Sequence, residues 1–458
     1  MQGRSPGQGD HAATEPSRVL ESATVTGQTA PDTTVGIIGL GYVGLPLATA
    51  FAEAGVDTIG YDLSTDKIAA IAEGRSYIED VPSTTLAPLV RSGRLRAESD
   101  PSLLAACDAL LICVPTPLGQ HREPDLSYVL AATETAIANL TPGTLVVLES
   151  TTWPGTTREV LAPMLEAAGL SIGEDVFLAF SPERVDPGNT SWGIRETPKV
   201  VGGMTAACSE RAEVLYGHIC DSVHPVSSPE SAEMSKIIEN TYRAVNIALV
   251  NELAILADRM DIDIWEAIEA SATKPFGYMP FWPGPGLGGH CIPIDPFYLA
   301  WRARAFDLDS EFVELAGRVN VNMPYYAVSR IARALNGRGK SVRDSDVLLL
   351  GMAYKADVGD LRESPSLKLL ELLRAEGARV TYHDPHIATM SDEGLSSVAL
   401  DADTIAAADC VVIATAHTDV DLALVVEHAD VVVDLRNAIR RRLSGGPAGS
   451  VPPNVDVL

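Results

Sequence analysis

One cysteine of the sequence stands among residues that can make a thiol reactive. Cys291 follows Gly288, Gly289 and His290 and precedes Asp295 within the segment GLGGHCIPIDP. Small neighbours leave the sulfur accessible, and an imidazole and a carboxylate nearby can tune a thiolate, the form of cysteine that attacks carbonyl carbons. A buried loop cysteine without a chemical role is the alternative, and the residues alone leave both interpretations open.

Three further polar residues are candidates for proton transfer or charge stabilisation. Lys236 and Asn240 lie four positions apart in a helical pattern and therefore share a face. An ammonium group there can stabilise a developing alkoxide, although this face is offset from the apolar stripe, which is typical of plain solvation. Glu183, in the segment SPER, follows a predicted strand and is a candidate base toward water; a surface pair with Arg184 is the competing interpretation.

A glycine-rich turn predicts dinucleotide binding. Gly39, Gly41 and Gly44 form a GxGxxG motif between a predicted strand and a predicted helix. In that setting the glycines permit a tight turn, close approach of backbone to a pyrophosphate and close packing of helix on strand. Asp62 ends the next strand, where a carboxylate accepts hydrogen bonds from an adenosine ribose and repels a 2′-phosphate. The pattern predicts NAD rather than NADP, against the alternative of a glycine-rich turn without a ligand.

Two threonines stand where ligands bind in open α/β sheets. Thr116 in CVPTP and Thr152 in ESTT follow the carboxyl ends of predicted parallel strands. Their hydroxyl groups are candidates for contacts with a cofactor or a substrate. Hydroxyls that only satisfy local backbone groups are the alternative.

Short apolar strands that alternate with helical segments position these residues. Strands are predicted over 34–40, 57–61, 109–114, 145–149 and 176–180, and again over 347–350, 379–382, 410–414 and 431–434. This alternation indicates an α/β fold with two doubly wound, Rossmann-like units. Between them, residues 229–260 have a helical period without proline or glycine after Pro229. Such a helix is about 45 Å long and is expected to bridge domains and to offer a dimer surface.

A Pro/Gly-rich loop over 275–296 carries Cys291, and its aromatic residues favour an ordered loop. The chain therefore divides into five predicted parts. They are a disordered polar arm (1–32), an NAD-binding Rossmann domain (33–225), a central helical dimerisation domain with the cysteine loop (226–335), a C-terminal α/β domain (336–440) and a tail (441–458).

Composition excludes several classes of function. The net charge is -27, from 34 Lys and Arg against 61 Asp and Glu, and the cluster at 440–442 is the sole basic run. Such acidity repels nucleic-acid backbones and anionic lipid surfaces. No apolar run approaches the roughly 20 residues that span a bilayer. Six cysteines without a CxxC pair or zinc spacing predict free thiols and no metal site. We expect a cytoplasmic protein that binds neither nucleic acid nor membranes.

Six segments together resemble the UDP-glucose/GDP-mannose dehydrogenase family of nucleotide-sugar 6-dehydrogenases, over residues 33–440. They are GLGYVGLPLA, CVPTP, ESTTWPGTT, AEMSKIIENTYRAVNIALVNE, GLGGHCIPIDP and GMAYKADVGDLRESPSLKLL. SPERVDPGN and the cysteine loop look most like the branch that acts on UDP-N-acetylhexosamines, particularly UDP-N-acetylglucosamine. UDP-glucose enzymes typically carry a second glutamate four positions after the first, where this chain has Pro187. UDP-N-acetylmannosamine and UDP-glucose remain alternative substrates.

The resemblance implies a four-electron oxidation of the sugar 6-hydroxymethyl group by two NAD. Cys291 would add to the intermediate aldehyde, and the resulting thiohemiacetal would be oxidised to a thioester that water hydrolyses. Lys236 and Asp295 would hold a water and stabilise oxyanions, and Asn240 would assist them. Thr152 and Glu183 would handle proton transfer and hydrolysis.

The resemblance also implies two sets of binding residues and a homodimer or larger homo-oligomer built on the long helix. The NAD set is Gly39, Gly41, Tyr42, Val43, Gly44, Asp62, Lys67, Thr116 and Thr152. The UDP-sugar set is Glu183, Arg184, Lys236, Asn240, Gly288, Gly289, Lys355 and Arg362, of which the last two suit phosphates. A two-electron β-hydroxyacid-type dehydrogenase and a catalytically silent NAD-binding scaffold are the rivals. The first needs no thiol and no second α/β domain, and an intact Lys236, Cys291 and Asp295 argue against the second.

Overall fold

The structure is a computed structural model that describes residues 33–119, 123–186, 188–189, 191–289, 291–443 and 449–458. The arm predicted over residues 1–32 lies outside the described residues, as do Pro187 and His290.

The N-terminal part of the chain forms an eight-stranded sheet in the order β3-β2-β1-β4-β5-β6-β7-β8. Neighbouring strands are parallel except β6 and β7. The first six strands have the Rossmann order, in which the chain reverses direction across the sheet between β1 and β4. The strands are β1 Thr34–Ile38, β2 Asp57–Tyr61, β3 Leu95–Glu98, β4 Ala109–Ile112, β5 Leu145–Leu148, β6 Phe177–Phe180, β7 Lys199–Gly203 and β8 Val223–Val226.

Helices cover both faces of this sheet. Adjacent residues of β1 point to opposite faces, so Ile37 packs in one hydrophobic core with Phe51, while Ile38 packs in the other with Phe180. Burial on both faces explains why the five predicted strands appear as continuous apolar runs, and all five are confirmed within two residues at each end. The helices are α1 Gly44–Glu53, α2 Thr65–Ala72, α3 Ser83–Arg91, α4 Ser127–Asn139, α5 Ala162–Ala167 and α6 Ala206–Tyr216.

The central part is helical and is built on the predicted long helix. Its helices are α7 Pro229–Arg259, α8 Ile264–Ala272, α9 Asp295–Ala303 and α10 Glu311–Asn336. The Ser228 side chain caps α7 by accepting a hydrogen bond from the backbone N–H of Ser231. Asn251 of α7 donates to Asn320 of α10 over 2.9 Å, and both amides are buried. The prediction of a long central helix over residues 229–260 is confirmed within one residue.

The apolar stripe of α7 lies on its outer side. Apart from Ile237 and Val250, the buried face is lined with small and polar residues. Ile238, Leu249, Leu253, Leu256 and the capping residue Met260 are exposed by 41–58%. Small side chains on the inner face allow α7 to approach its neighbours closely. The spacing of the stripe predicted the helix, but it does not mark the face that this chain buries.

The C-terminal part forms a five-stranded parallel sheet in the order β10-β9-β13-β14-β15 and a separate two-stranded ribbon of β11 and β12. The strands are β9 Asp346–Leu350, β10 Arg379–His383, β11 Thr389–Met390, β12 Leu395–Ser396, β13 Cys410–Ile413, β14 Val432–Asp434 and β15 Val455–Val457. The helices are α11 Pro365–Ala375, α12 Ala402–Ala407, α13 Leu422–His428 and α14 Ala438–Leu443. Two doubly wound units joined by a helical region therefore confirm the predicted fold class.

The segment expected as a tail contributes to this second sheet. Residues 455–457 pair in parallel with β14, and the indole of Trp265 donates to the carbonyl oxygen of Leu458 over 2.6 Å. The basic cluster at 440–442 is also engaged, since Arg440 pairs with Asp263 and Arg442 donates to three backbone carbonyls. A three-residue strand is too short to show a period in the sequence, and for this reason it was not predicted.

Five of the six cysteines are buried and Cys291 is exposed, and all six are free thiols. None of the described helices has both the length and the hydropathy that crossing a bilayer requires.

Candidate active site

The turn between β1 and α1 has the form that the glycine motif predicts. Gly39 has a φ of +96°, and a Cβ there would lie 2.5 Å from the carbonyl oxygen of Cys113. A Cβ on Gly44 would lie 1.8 Å from the carbonyl oxygen of Gly39, whereas one on Gly41 would meet nothing within 4 Å. Gly39 therefore makes the turn, Gly44 allows the packing, and open space beside Gly41 leaves room for a pyrophosphate.

Asp62 closes this turn from the end of β2. Its carboxylate accepts hydrogen bonds from the backbone N–H groups of Leu40 at 2.8 Å and Ser64 at 2.9 Å, and from Lys67 at 3.0 Å. Burial alone would raise the pKa of Asp62, but these donors outweigh it and hold the pKa below its ordinary value. The carboxylate is therefore anionic beside the turn, as recognition of a ribose rather than a 2′-phosphate requires.

Thr116 and Thr152 are both buried at the carboxyl edge of the first sheet. The hydroxyl of Thr152 has no hydrogen-bond partner within the described part of the chain, while the carbonyl oxygen of Thr116 accepts from Tyr298 at 2.5 Å. An orphan hydroxyl at this edge is satisfied when a ligand supplies the partner. Together with the open space at Gly41, it fits a bound dinucleotide.

The cysteine loop is docked on the C-terminal domain before it enters α9. The backbone N–H of Gly289 donates to the carbonyl oxygen of Arg362 over 2.9 Å, and a Cβ on Gly288 would lie 2.6 Å from Cβ of Tyr354. These two glycines therefore permit close packing of the loop. The Cys291 carbonyl then accepts the N–H of Asp295 at 2.8 Å, which places thiol and carboxylate on adjacent turns of one segment.

The side chains of Lys236, Asn240 and Asp295 are buried together, with residue exposures of 8%, 5% and 1%. Asn240 donates to the Asp295 carboxylate over 2.6 Å, and the ammonium of Lys236 donates to the carbonyl oxygen of Glu183 over 2.5 Å. The alternative interpretation, that Lys236 and Asn240 lie on a solvated helix face, is therefore wrong. The physical reason is that α7 buries its polar face and exposes its apolar stripe.

Burial and charge set the titration of the two reactive groups. Desolvation raises the pKa of Asp295 to about 7, although Lys236 and the Asn240 hydrogen bond oppose it. Cys291 is exposed as a residue, yet the surrounding protein desolvates the sulfur and, with Asp295, raises the pKa of the thiol to about 11. Lys236 and Arg362 act in the opposite direction. The thiol is therefore protonated at neutral pH and needs a proton acceptor when it reacts.

Glu183 is oriented by its own turn. One carboxylate oxygen accepts the backbone N–H groups of Arg184 at 2.7 Å and Val185 at 2.6 Å. The Arg184 guanidinium instead pairs with Glu239 at 2.7 Å and donates to the carbonyl oxygen of Pro198. The competing interpretation of a Glu183–Arg184 surface pair is therefore wrong.

Two cations of the C-terminal domain face the first domain. Lys355 pairs with Asp186 at 2.9 Å, and the Arg362 guanidinium lies 3.9 Å from the ring centroid of Tyr42, within the glycine-rich turn. Arg362 is also held by Asp360, its neighbour two residues away, at 2.6 Å. The expected phosphate-binding residues and the expected NAD turn therefore meet across one cleft.

Comparison with known proteins identifies the family. Three family models match the chain: the NAD binding domain of the UDP-glucose/GDP-mannose dehydrogenase family over residues 33–220, its central domain over 230–322 and its UDP binding domain over 348–441. The chain belongs to this family. It is an NAD-dependent nucleotide-sugar dehydrogenase, which confirms the predicted cofactor and sets aside the β-hydroxyacid alternative.

Individual relatives cover most of the dehydrogenase. It is 35% identical over 393 residues to the UDP-N-acetyl-D-glucosamine 6-dehydrogenase of Pseudomonas aeruginosa, and the alignment covers 85% of this chain and 91% of that relative. It is also 35% identical over 386 residues to the UDP-N-acetyl-D-mannosamine dehydrogenase of Pyrococcus horikoshii, and that alignment covers 84% of this chain and 90% of the relative. A solved structure of UDP-D-ManNAc dehydrogenase from Pyrococcus horikoshii superimposes with a TM-score of 0.83 at 32% identity, covering 93% of this chain and 98% of that one.

The dehydrogenase also brings two charged residues to this region that sequence reasoning missed, Lys199 and Arg436. Lys199 is the first residue of β7, and Arg436 follows β14. The Arg436 guanidinium packs against the cysteine loop, because a Cβ added to Gly284 would lie 2.5 Å from one of its nitrogens. Burial lowers the pKa of Arg436 to about 10. The rule that singled out Thr116, a polar residue next to the end of a predicted strand, could have found Arg436.

Proposed function

We propose that this dehydrogenase oxidises the 6-hydroxymethyl group of a UDP-N-acetylhexosamine to a carboxylate, with UDP-N-acetylglucosamine as the substrate. The observation that carries the proposal is the exposed thiol of Cys291 among four charged groups, Lys236, Asp295, Arg362 and Glu183, which all act on its pKa. Relatives named for UDP-N-acetylglucosamine and UDP-N-acetylmannosamine support a hexosamine. Pro187, where UDP-glucose enzymes typically carry a glutamate, supports it further.

NAD bound at the β1–α1 turn supplies the hydride acceptor for both oxidations. We assign its pyrophosphate to the turn of Gly39, Gly41 and Gly44 and its ribose to Asp62, which Lys67 holds in place. Tyr42 and Val43 complete the turn. Thr152 offers the hydroxyl that the protein leaves unpartnered, and Thr116 lies on the neighbouring strand end.

In the first oxidation, the buried ammonium of Lys236 stabilises the alkoxide that forms as the substrate hydroxyl loses its proton. Asp295, with a pKa near 7, accepts that proton and returns it to water. Asn240 fixes the carboxylate by its 2.6 Å hydrogen bond, so the acceptor oxygen keeps one orientation.

In the second oxidation, the Cys291 sulfur bonds to the aldehyde carbon and the thiol proton passes to Asp295. The adduct forms as the alkoxide of the thiohemiacetal, which loses a hydride and becomes a thioester. Water then attacks the thioester carbon and Glu183 takes a proton from that water. The C–S bond breaks as the sulfur takes back the proton held by Asp295, which regenerates the thiol. A nucleophile is required because hydride loss from a free aldehyde would leave an acylium cation, whereas the oxygen of the adduct supplies the electron pair that forms the thioester carbonyl.

Substrate binding falls to the cleft between the domains. Lys355 and Arg362 suit the UDP phosphates, and their present partners Asp186 and Asp360 keep both cations oriented toward the cleft. We assign NAD to residues 33–225, the thiol chemistry to 226–335 and UDP to 336–440. Free thiols fit a reducing compartment, and we place the enzyme in the cytoplasm.

The exposed stripe of α7 supports a homodimer. Apolar residues of α10, including Phe312, Val321 and Tyr325, are exposed as well, and α10 packs along α7. Apolar patches on paired helices are typical of surfaces that a second copy covers.

A substrate panel tests the proposal. We expect kcat/KM for NADH formation to be higher with UDP-N-acetylglucosamine than with UDP-N-acetylmannosamine, UDP-N-acetylgalactosamine or UDP-glucose. Cys291→Ala, which should form no uronate, is the negative control. A preference for UDP-glucose would overturn the substrate assignment, and a preference for another hexosamine would overturn only the choice of epimer.

A further inference from the structure

A buried ion network stands behind Glu183. The ammonium of Lys199 lies 2.8 Å from one oxygen of Glu149 and 3.8 Å from the second carboxylate oxygen of Glu183. The side chain of Lys199 is 6% exposed and that of Glu149 is fully buried. The mechanism proposed above uses neither residue. A buried cation that two carboxylates share needs an explanation, because charges are buried only when partners hold them.

The segment that leaves β6 runs beside the start of β7. β6 and β7 pair in antiparallel register with Phe180 opposite Gly202, and beyond that pair the hydroxyl of Ser181 donates to the carbonyl oxygen of Val200 over 2.8 Å. Arg184 fixes the turn to β7 by donating to the carbonyl oxygen of Pro198 over 2.6 Å. These two side-chain contacts bring the segment of Glu183 close to the first residues of β7, where the ammonium of Lys199 approaches the carboxylate.

Glu149 and Tyr216 hold the other side of Lys199. Glu149 follows β5, and its second oxygen accepts the hydroxyl of Tyr216, at the end of α6. The ammonium also lies 5.1 Å from the centroid of the Tyr216 ring. Burial alone would lower the pKa of Lys199, but attraction to Glu149 and Glu183 keeps it above its ordinary value, so the cation persists at neutral pH.

Four further groups lie around the network. The thiols of Cys113 and Cys220 are buried beside it, and burial raises the pKa of both. Lys236 touches the backbone carbonyl of Glu183 from α7, and Cys291 faces the same carboxylate from the loop. Lys199 is therefore the buried cation in contact with the Glu183 carboxylate, and Glu149 is the anion that competes for it.

We infer that Lys199 is a positioning residue for hydrolysis of the thioester: its ammonium holds the Glu183 carboxylate in the orientation that receives a proton from the attacking water, and Glu149 limits that attraction. The inference rests on the proposed role of Glu183 as the base. Lys199 touches no reacting atom and acts through Glu183 alone.

Single-turnover experiments with saturating NAD separate the oxidations from hydrolysis. We expect Lys199→Met to release both NADH per site at the wild-type rate but to hydrolyse the thioester about tenfold more slowly, as part of the 10²–10⁴-fold effect of a general base. Mass spectrometry of the quenched protein should show the acyl adduct on Cys291. Lys340→Met, which removes an exposed cation far from the cleft, is the matched control.

Glu149→Gln and Lys199→Met should give opposite signatures that a merely structural role would not produce. Glu149→Gln leaves Lys199 to Glu183 alone, so the acidic limb of the hydrolysis profile should move to lower pH, whereas in Lys199→Met it should move to higher pH. The double variant Lys199→Met/Glu149→Gln buries no unpaired charge and keeps the experiment interpretable if the single variant fails to fold. Equal slowing of oxidation and hydrolysis, or shifts of the same sign, would overturn the inference.

Glu183→Gln distinguishes failure of this inference from failure of the proposed function. If Glu183→Gln accumulates the acyl adduct and the Lys199 variants do not, only the positioning role is refuted. If Glu183→Gln hydrolyses the thioester at the wild-type rate, the assignment of the base is overturned and the positioning role with it.

Discussion

Replacing Asp295 with asparagine should stabilise the fold at pH 8 while it removes activity. The buried carboxyl has a pKa of about 7 against an ordinary value of 3.8, so the folded state binds its proton more tightly than the unfolded state does. Below pH 4 the group is protonated in both states and has no effect. As the pH rises from 4 to 7, the unfolded state loses the proton first, and the free energy of unfolding falls.

The magnitude follows from the shift. A difference of about 3 pKa units corresponds to roughly 4 kcal/mol of stability lost at pH 8, and the loss grows by about 2.5 kcal/mol between pH 5 and pH 8. Asparagine does not ionise and can still accept the hydrogen bond of Asn240. Its unpartnered amide donor costs about 1–3 kcal/mol, but that cost is the same at both pH values.

Urea unfolding at pH 5 and pH 8, followed by tryptophan fluorescence, measures this difference. We expect the free energy of unfolding of Asp295→Asn relative to wild type to increase by about 2.5 kcal/mol from pH 5 to pH 8, and kcat to fall by 10² or more. Asp392→Asn, an exposed aspartate, is the control and should show no such trend. A stability difference that is independent of pH would refute the reasoning about Asp295.

Three further variants test other parts of the site. Asp62→Ser removes a carboxylate that orders the turn, and we expect the KM for NAD to rise about 10- to 100-fold, measured by initial rates, with a smaller penalty for NADP. Thr152→Val deletes a hydroxyl without a protein partner, so the melting temperature should stay within about 2 °C while kcat/KM falls about tenfold; a large loss of stability would mean that the hydroxyl serves the fold. Leu253→Arg places a charge on the exposed stripe of α7, and light scattering should show a monomer. An intact dimer would exclude that stripe as the interface.

Much of the fold was predictable because burial leaves a simple trace in the sequence. Strands β4, β5 and β6 are buried at every position, so they appear as unbroken apolar runs. β8 is exposed at His224 and Pro225, and the two-residue strands of the ribbon are too short for a period to appear. The helical period located α7 but not its buried face, since a face lined with small and polar residues has no apolar signal.

The site was predictable where a motif fixes geometry and not where it depends on contacts between distant segments. The three glycines of the turn each have the steric reason that the motif implies. The stacking of Arg362 on Tyr42 joins residues 320 positions apart, and no local pattern indicates it. Lys199 was not among the predicted site residues, because the sequence does not show that the fold brings its ammonium within 3.8 Å of the Glu183 carboxylate.

The stoichiometry of NADH tests the central claim most directly. Purified enzyme given a limiting amount of UDP-N-acetylglucosamine should form two NADH for each sugar consumed and release the uronate, and Cys291→Ala should bind NAD but form no uronate. One NADH per sugar with release of an aldehyde, or uronate formed by Cys291→Ala, would contradict the thioester mechanism.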